Sequence, residues 1–469
     1  MSNASESHNL PQLPSTWRWS TMSQACQKIQ DGTHFSPQNQ HAQGKYRYIT
    51  AKNVKPSGLD LSDISYLSEA DHRAIYRRCD PQKGDVLLVK DGVNTGDATL
   101  NTLNEEFSLL SSVCLLRPKT DLIISPFLRY FLLSPAGYRL LTGQMTGTAI
   151  KRIVLRRIKD SPLPIAPLDE QKAIVAEIEK QFSRLDEAVA SLKRTKANLK
   201  RYKAAVLKAA VEGKLTEDWR KQHPNVEPAS KLLERISAER REKWVGKGKY
   251  KEPIALDASD LPSLPRGWTW AAVDQVAEVM LGKMLDQKKH RTGRLLPYLR
   301  NINIRWGRID TDDLLEMFFD DDELDRYGLV SGDVLVCEGG EPGRAAVWDG
   351  CLPQLKYQKA LHRVRFYSDF EARYLVFLLE FLANTGRLDR WFTGSTTKHF
   401  TRESFVSVPI PMPPLLEQRE IVAEVERRLS VIDELEATVE LNLTRADRLR
   451  QSILACAFSG QLTCLESVA

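Results

Sequence analysis

The residue types able to do covalent chemistry in this 469-residue chain are not spaced to do it. A phosphate-cradling loop needs GxxxxGK[ST], but the Gly213–Lys214 pair lacks both the following Ser/Thr and the upstream glycine. Gly339, Gly340 and Gly343 are wrongly spaced for the GxGxxG turn of a dinucleotide fold. The eight histidines are dispersed, with neither HxH nor HExxH, and no Asn/Asp-Pro-Pro-aromatic motif is present. Asp85 and Lys90, at the two ends of an apolar run, resemble a nuclease pair only in residue type. The seven cysteines (26, 79, 114, 337, 351, 456, 464) are scattered and never form CxxC, which argues against a disulfide framework or zinc ribbon. The chain reads as non-catalytic, with no metal site and no cofactor of its own.

Without an active site to position, the elements must serve recognition or assembly. The length suggests about three domains. Lys plus Arg (67) exceeds Asp plus Glu (61) by six, which permits nucleic acid as a partner without demanding it. Met1–Pro14 is polar and no apolar run approaches the roughly 18 residues of a membrane span, so a cytoplasmic location is expected.

The dominant pattern is a long internal repeat. PIAPLDEQ begins one copy at Pro164 and PIPMPPLLEQ the other at Pro409. From Glu170 and Glu417 onward they align without a gap at an offset of 247, through Gly213/Gly460 to Thr216/Thr463. Each copy predicts a helix with seven-residue apolar columns: Ile178, Leu185, Leu192, Leu199 and Val206 in one, Val425, Ile432, Val439, Ala446 and Ile453 in the other. Prolines precede each start, Glu170 and Glu417 place carboxylates at the positive end, and Gly213 and Gly460 stand where a left-handed cap belongs. About 43 residues give a rod of roughly 65 Å. Connectivity, with each helix following its own globular segment, predicts an antiparallel pair.

The globular segments repeat more weakly. Pro14, Trp17 and Trp19 match Pro265, Trp268 and Trp270, and the tryptophans read as core anchors. KGDVLLVKDG (Lys83–Gly92) matches SGDVLVCEGG (Ser331–Gly340), each a turn, an apolar strand and a polar tip. SPFLRYFLLSPAGYRLL and ARYLVFLLEFLANTGRLDRWF read as amphipathic helices, and TGTAIKRI (Thr146–Ile153) matches TGSTTKHF (Thr393–Phe400). Between the halves, Glu217–Leu261 reads as a solvated linker with a short basic helix. The domain boundaries expected are 1–161, 162–216 (first spacer helix), 217–261 (linker), 262–408 and 409–469 (second spacer helix and tail).

The PIAPLDEQ/PIPMPPLLEQ helix starts, the VLKAAVEGKLT/ILACAFSGQLT ends, the LPSTWRW/LPRGWTW openings and the TGTAIK/TGSTTK segments together resemble the DNA-specificity (S) subunit of Type I restriction–modification enzymes. The first TG segment departs from the more usual Ser-Thr-Gln spelling. The resemblance covers nearly the whole chain. It implies an α+β fold: two related target recognition domains held apart by an antiparallel two-helix coiled coil with pseudo-twofold symmetry. It also implies binding of a bipartite double-stranded DNA site and docking of two methyltransferase subunits that use S-adenosylmethionine to methylate adenine. Restriction/translocase subunits using ATP and Mg are further expected partners.

Base reading then calls for side chains on polar loops at equivalent places in both halves. These are Lys52, Asn53, Lys90, Asn94, Thr148 and Lys151 in the first, and Arg300, Asn301, Glu338, Arg344, Thr396 and Lys398 in the second. Arg or Lys suits guanine, Asn adenine and Glu cytosine, while Lys151 and Lys398 suit phosphate. Glu170, Gln171, Leu185, Leu192, Leu199, Glu417, Gln418, Ile432, Val439 and Ile453 are the expected spacer and partner-docking residues. The competing reading is a coiled-coil scaffold presenting two protein-binding domains without DNA specificity. A self-sufficient DNA-modifying enzyme is disfavoured by the missing methyltransferase motif.

Overall fold

The computed structural model describes residues 10–35, 37, 40–143, 152–242, 244, 249–284 and 293–461. The chain forms two compact units, one drawn from residues up to 193 together with those from 439 onward, the other from 194–438.

In the first unit an apolar run dictates the centre. Val86–Val89 is buried along its whole length, as a strand covered on both faces must be. It lies between Ala98–Leu100 and Val113–Pro118, and the latter pairs with Cys26–Asp31, making a four-stranded antiparallel sheet. Alternation sorts the side chains. Val86 and Leu88, with Cys114 and Leu116, join a core containing Trp17, Phe127 and the long-helix residues Ile174 and Ile178. Leu87 and Val89, with Val113 and Leu115, join a second core containing Ile49, Val54 and Phe107. The sheet is therefore the wall between two cores, as its period of two requires. Beyond it lies a smaller sheet ordered Ser108–Leu109, Tyr46–Ile49, Ser65–Leu67, Gln40–His41. The pair Arg117–Asp85 crosses the wall: Nε and Nη2 each donate at 2.9 Å to a buried carboxylate.

The second unit repeats this topology. Its wall is Ala277–Leu281, Leu361–Phe366, Val334–Cys337 and Ala345–Val347, its smaller sheet Leu315–Phe319, Arg294–Leu299 and Lys356–Tyr357. Val334 and Val336 face one core and Leu335 and Cys337 the other. Arg365 grips buried Asp333 with two bonds of 2.7 Å, where Arg117 grips Asp85.

Two 44-residue helices, Leu168–Val211 and Leu415–Phe458, run through the chain. Inside the first unit their directions are opposed: Arg450 pairs with Asp186 and lies over Phe182, while Phe458, eight residues on, meets Trp17, which itself bonds Glu170. The same holds inside the second unit, where Thr216, just past the end of the first helix, donates to Glu417 near the start of the other. Gly213 caps that end at φ 68°, and a Cβ there would meet Pro265 and Trp268.

Four sequence expectations change. Pro162–Ile165 and Pro409–Met412, assigned to the spacer helices, are strands paired with Arg18–Thr21 and Thr269–Ala272; prolines at alternate positions suit a short edge ladder. SPFLRYFLLSPAGYRLL is two helices, Ser125–Leu133 and Pro135–Thr142. Pro135 has no N–H to continue the first, and the Ser134 hydroxyl accepts from Gly137 to begin the second. The linker is not a solvated connector. Its helix Ala229–Glu242 buries Leu232 and Ile236 in the second unit's core, and its Arg240 bonds Tyr250 at 2.7 Å. Finally, only the first tryptophan of each pair is a core anchor: Trp17 and Trp268 are buried, whereas Trp19 and Trp270 are half-exposed and donate to Pro11 and Pro262.

Candidate nucleic-acid interface

Each unit gathers three segments at one rim: a single 3-10 turn, the tip of the central wall strand, and the segment that returns toward the long helix. The turns are Ala51–Asn53 and Asn301–Asn303. A buried asparagine holds each. Asn53 Oδ1 accepts from Thr50 N at 3.0 Å, and its Nδ2 donates to the carbonyls of Asp60 and Asp63 at 3.0 Å. Asn303 repeats all three bonds, to Arg300 N (2.9 Å), Asp310 O (3.1 Å) and Asp313 O (2.9 Å). The third segment is tied to the strand tip by Ile153 N donating to Lys90 O at 2.8 Å and Phe400 N donating to Glu338 O at 2.7 Å.

Several expected readers prove to be supports. Asn53 is buried and its carboxamide is spent on the loop, so it leaves the set; its equivalent is Asn303, not Asn301. Lys90 is buried between Asp31 (3.5 Å) and Asp91 (3.1 Å), because a cation at a strand tip must be paired once the neighbouring loops cover it. Asp85, held by Arg117, has no nuclease geometry. Arg344 is mostly buried: Nη1 pairs with Glu341 at 2.5 Å and Nη2 donates to Asn301 O at 2.9 Å. Asn301 donates to Gly339 O at 3.2 Å, closing turn onto tip. Gly340 lies at φ 80°, and a Cβ on it would fall 2.6 Å from the Asn301 amide.

Other candidates do line the rim. Lys52 and Arg300 are not equivalent in sequence, yet each pairs with the equivalent carboxylate, Asp63 at 2.8 Å and Asp313 at 2.7 Å. Asn94 is half-exposed beside Val93, whose side chain is fully open to solvent. Glu338 is half-exposed, Thr396 is exposed, and Lys398 pairs with Asp389 at 2.7 Å. Thr148 and Lys151 lie outside the described residues. Arg152, missed at the sequence level, is exposed at the rim with Nε 3.0 Å from Asp91 Oδ1; its match to His399 within the TGTAIKRI/TGSTTKHF alignment was the available signal.

The titratable groups behind the rim are structural. His362 is held down to about 4 by burial, its Nε2 bonded to Phe400 O at 2.7 Å. Burial likewise pushes the Cys26 and Cys79 thiols up to about 12. Among the described residues no group of His, Cys, Asp and Glu is arranged to hold a metal ion, and no helix is long and apolar enough to cross a membrane.

The spacer residues divide. Gln171 and Gln418 are fully buried and face their own units: Gln171 bonds Ile124 N, Leu122 O and Ala166 O, and Gln418 bonds Glu371 N and Pro413 O. Glu170 accepts from Trp17 and Thr16, while buried Glu417 accepts from Trp268, Thr216 and Arg220. These four lock each helix start to the segments around it in its own unit. Leu199, Ile432, Val439 and Ile453 are buried, whereas Leu185 and Leu192 are half-buried. Leu435 and Leu449 of the second helix, outside that column, are exposed.

Residues 14–201 match the family described as Type I restriction modification DNA specificity domain. The chain is 27% identical over 423 residues to the Type I restriction enzyme EcoKI specificity subunit of Escherichia coli K12, spanning 88% of this chain and 82% of that one. It is 24% identical over 471 residues to the StySPI specificity subunit of Salmonella potsdam, spanning 97% and 91%. In fold it resembles a chain from a structure of the assembly and conformational transition of the type I R-M system (TM-score 0.69, 18% identity, 96% and 100% covered). It also resembles the HsdS subunit of Thermoanaerobacter tengcongensis (TM-score 0.52, 18% identity, 96% and 99% covered).

Proposed function

We propose that this chain, which carries a Type I DNA specificity domain and resembles Type I specificity subunits over most of its length, is the non-catalytic subunit that reads a bipartite double-stranded DNA site. It directs adenine methylation and ATP-dependent restriction by cytoplasmic partner subunits. S-adenosylmethionine, ATP and Mg belong to those partners. The observation that carries the reading is the duplicated rim: the same three segments, held by the same asparagine and strand-tip bonds, bear different side chains in each unit. A shared frame with different rim chemistry in each unit is what two independent readers of base edges require. The recognition domains take in the strands Pro162–Ile165 and Pro409–Met412, the second also the helix Ala229–Glu242, with the 44-residue helices as spacer between half-sites. Solvent-facing Leu441 and Leu449 in the first unit, and Val431 and Leu435 in the second, supply apolar surface for the methyltransferase subunits.

The test is methylome mapping of cells with and without the gene. A split adenine-methylation motif that disappears with the gene supports the reading. An unchanged methylome in the presence of active partner subunits favours the protein-binding scaffold instead. Replacing Phe35–Ser161 with the matching span of a related chain should change one half-site only; a change in both would refute independent reading.

A further inference from the structure

We propose that Arg152 is a base-reading side chain of the first unit, recognising guanine, and that Asp91 is its positioning residue. The assignment rests on the reading of the chain as a DNA-specificity subunit and goes beyond it by naming a residue and a base. Five charges run in series, half-exposed at Arg78, covered through the middle and exposed again at Arg152. Arg78 Nη2 lies 2.7 Å from Asp31, Asp31 3.5 Å from Lys90 Nζ, Lys90 3.1 Å from Asp91 Oδ2, and Asp91 Oδ1 3.0 Å from Arg152 Nε. Asp31, Lys90 and Asp91 are covered, whereas the Arg152 side chain is 60% exposed. The backbone adds a second restraint, a bridge between Asp91 and Arg152 with Ile153 N donating to Lys90 O at 2.8 Å.

This arrangement does little for stability, since an exposed Arg–carboxylate pair is worth little and costs side-chain freedom. Its effect is orientation. With Nε engaged by Asp91, the outer edge of the guanidinium, Nη1 and Nη2, has no partner among the described residues. Two parallel donors at that edge match O6 and N7 of guanine in the major groove. The Asp91 carboxylate, 3.0 Å from the guanidinium, offsets its positive charge, which weakens attraction to an anionic phosphate more than to the uncharged O6/N7 edge of guanine. In the second unit the equivalent positions are His399 and Gly339, so no carboxylate stands behind the reader there.

The experiment uses the full chain with its methyltransferase partner in cells, and reads the methylated motif. R152A is expected to lose discrimination at one guanine position of one half-site, by about tenfold or more, with the other half-site unchanged. R152K keeps the charge without the fork and should relax the same position while total methylation is better retained. D91N should relax that position to a smaller degree. A uniform fall in methylation with the motif intact would make Arg152 a phosphate contact and overturn the assignment, as would no change at all. If R152A does not accumulate as folded protein, R152K decides by the same readout. A wild type that yields no split motif fails the reading of the whole chain and the assignment with it. A wild type with the motif, beside variants that leave it unaltered, fails the assignment alone.

Discussion

At equivalent strand tips the first unit carries Lys90 and Asp91 and the second Glu338 and Gly339. The backbone hardly distinguishes them, because both tips receive the same bond from the segment before the long helix. The side chains distinguish them fully. In the first unit the tip is an ion-pair relay that ends on an exposed arginine; in the second it is closed by uncharged contacts from Asn301 and left with a half-exposed glutamate. The lesson is that frame and chemistry are carried by separate residues. Asn53/Asn303, Arg117/Arg365 and Gln171/Gln418 hold the frame in both units, each committed to bonds inside its own unit.

The comparison can be broken where matching supports differ in burial. Glu417 is fully buried against Arg220, while Glu170 is half-buried against neutral partners, Trp17 and Thr16. Glu417→Ala strands Arg220 and should destabilise the second unit by about 3–5 kcal/mol. Glu170→Ala should cost the first about 1 kcal/mol. Hydrogen-exchange mass spectrometry of peptides from each unit measures the two separately; equal losses would mean the helix starts are held alike.

A pH difference sharpens the contrast at the wall. His362 stands where the first unit has buried Cys114. Its folded value of about 4 lies below the ordinary 6.5, so the unfolded chain takes up the proton first. Its contribution is complete above pH 6.5 and is lost as pH falls through 6.5 toward 4, amounting to about 3 kcal/mol. His362→Cys, which installs the other unit's residue, should flatten that slope in denaturant titrations between pH 7 and 4. An unaltered slope would place the titration elsewhere.

The smallest effect is on the long helices. Arg427 and Arg428 hold Glu424 down to about 2, whereas at the equivalent Glu177 the partners are Gln181 and Lys180. A depressed carboxylate stabilises above its unfolded value of 4.5 and loses that contribution as pH falls toward 2. As a surface helix pair it is worth under about 1 kcal/mol. Glu424→Gln should reduce the acid sensitivity of the second unit, read by circular dichroism, more than Glu177→Gln reduces that of the first.

Much of the frame was legible because it depends on local pattern. The VLLV and VLVC runs announce strands covered on both faces, the heptad columns announce the helices, and the glycines announce their ends. The offset of 247 announces the repeat. What the pattern could not show is which polar residue at a tip faces water. Lys90 and Arg152 are both basic and both next to Asp91. Tertiary packing buries one and exposes the other, since desolvating a cation is tolerated only where carboxylates already wait on the inner side. Asn301 and Asn303 are the same residue type two positions apart, and only the three bonds of Asn53 reappearing on Asn303 tell support from rim. The sequence by itself determined the duplication, the helix pair and the absence of motifs for covalent chemistry, because periodicity and spacing are local. Only the tertiary structure decided which charges support and which read, because burial is set by what distant segments bring to the same place.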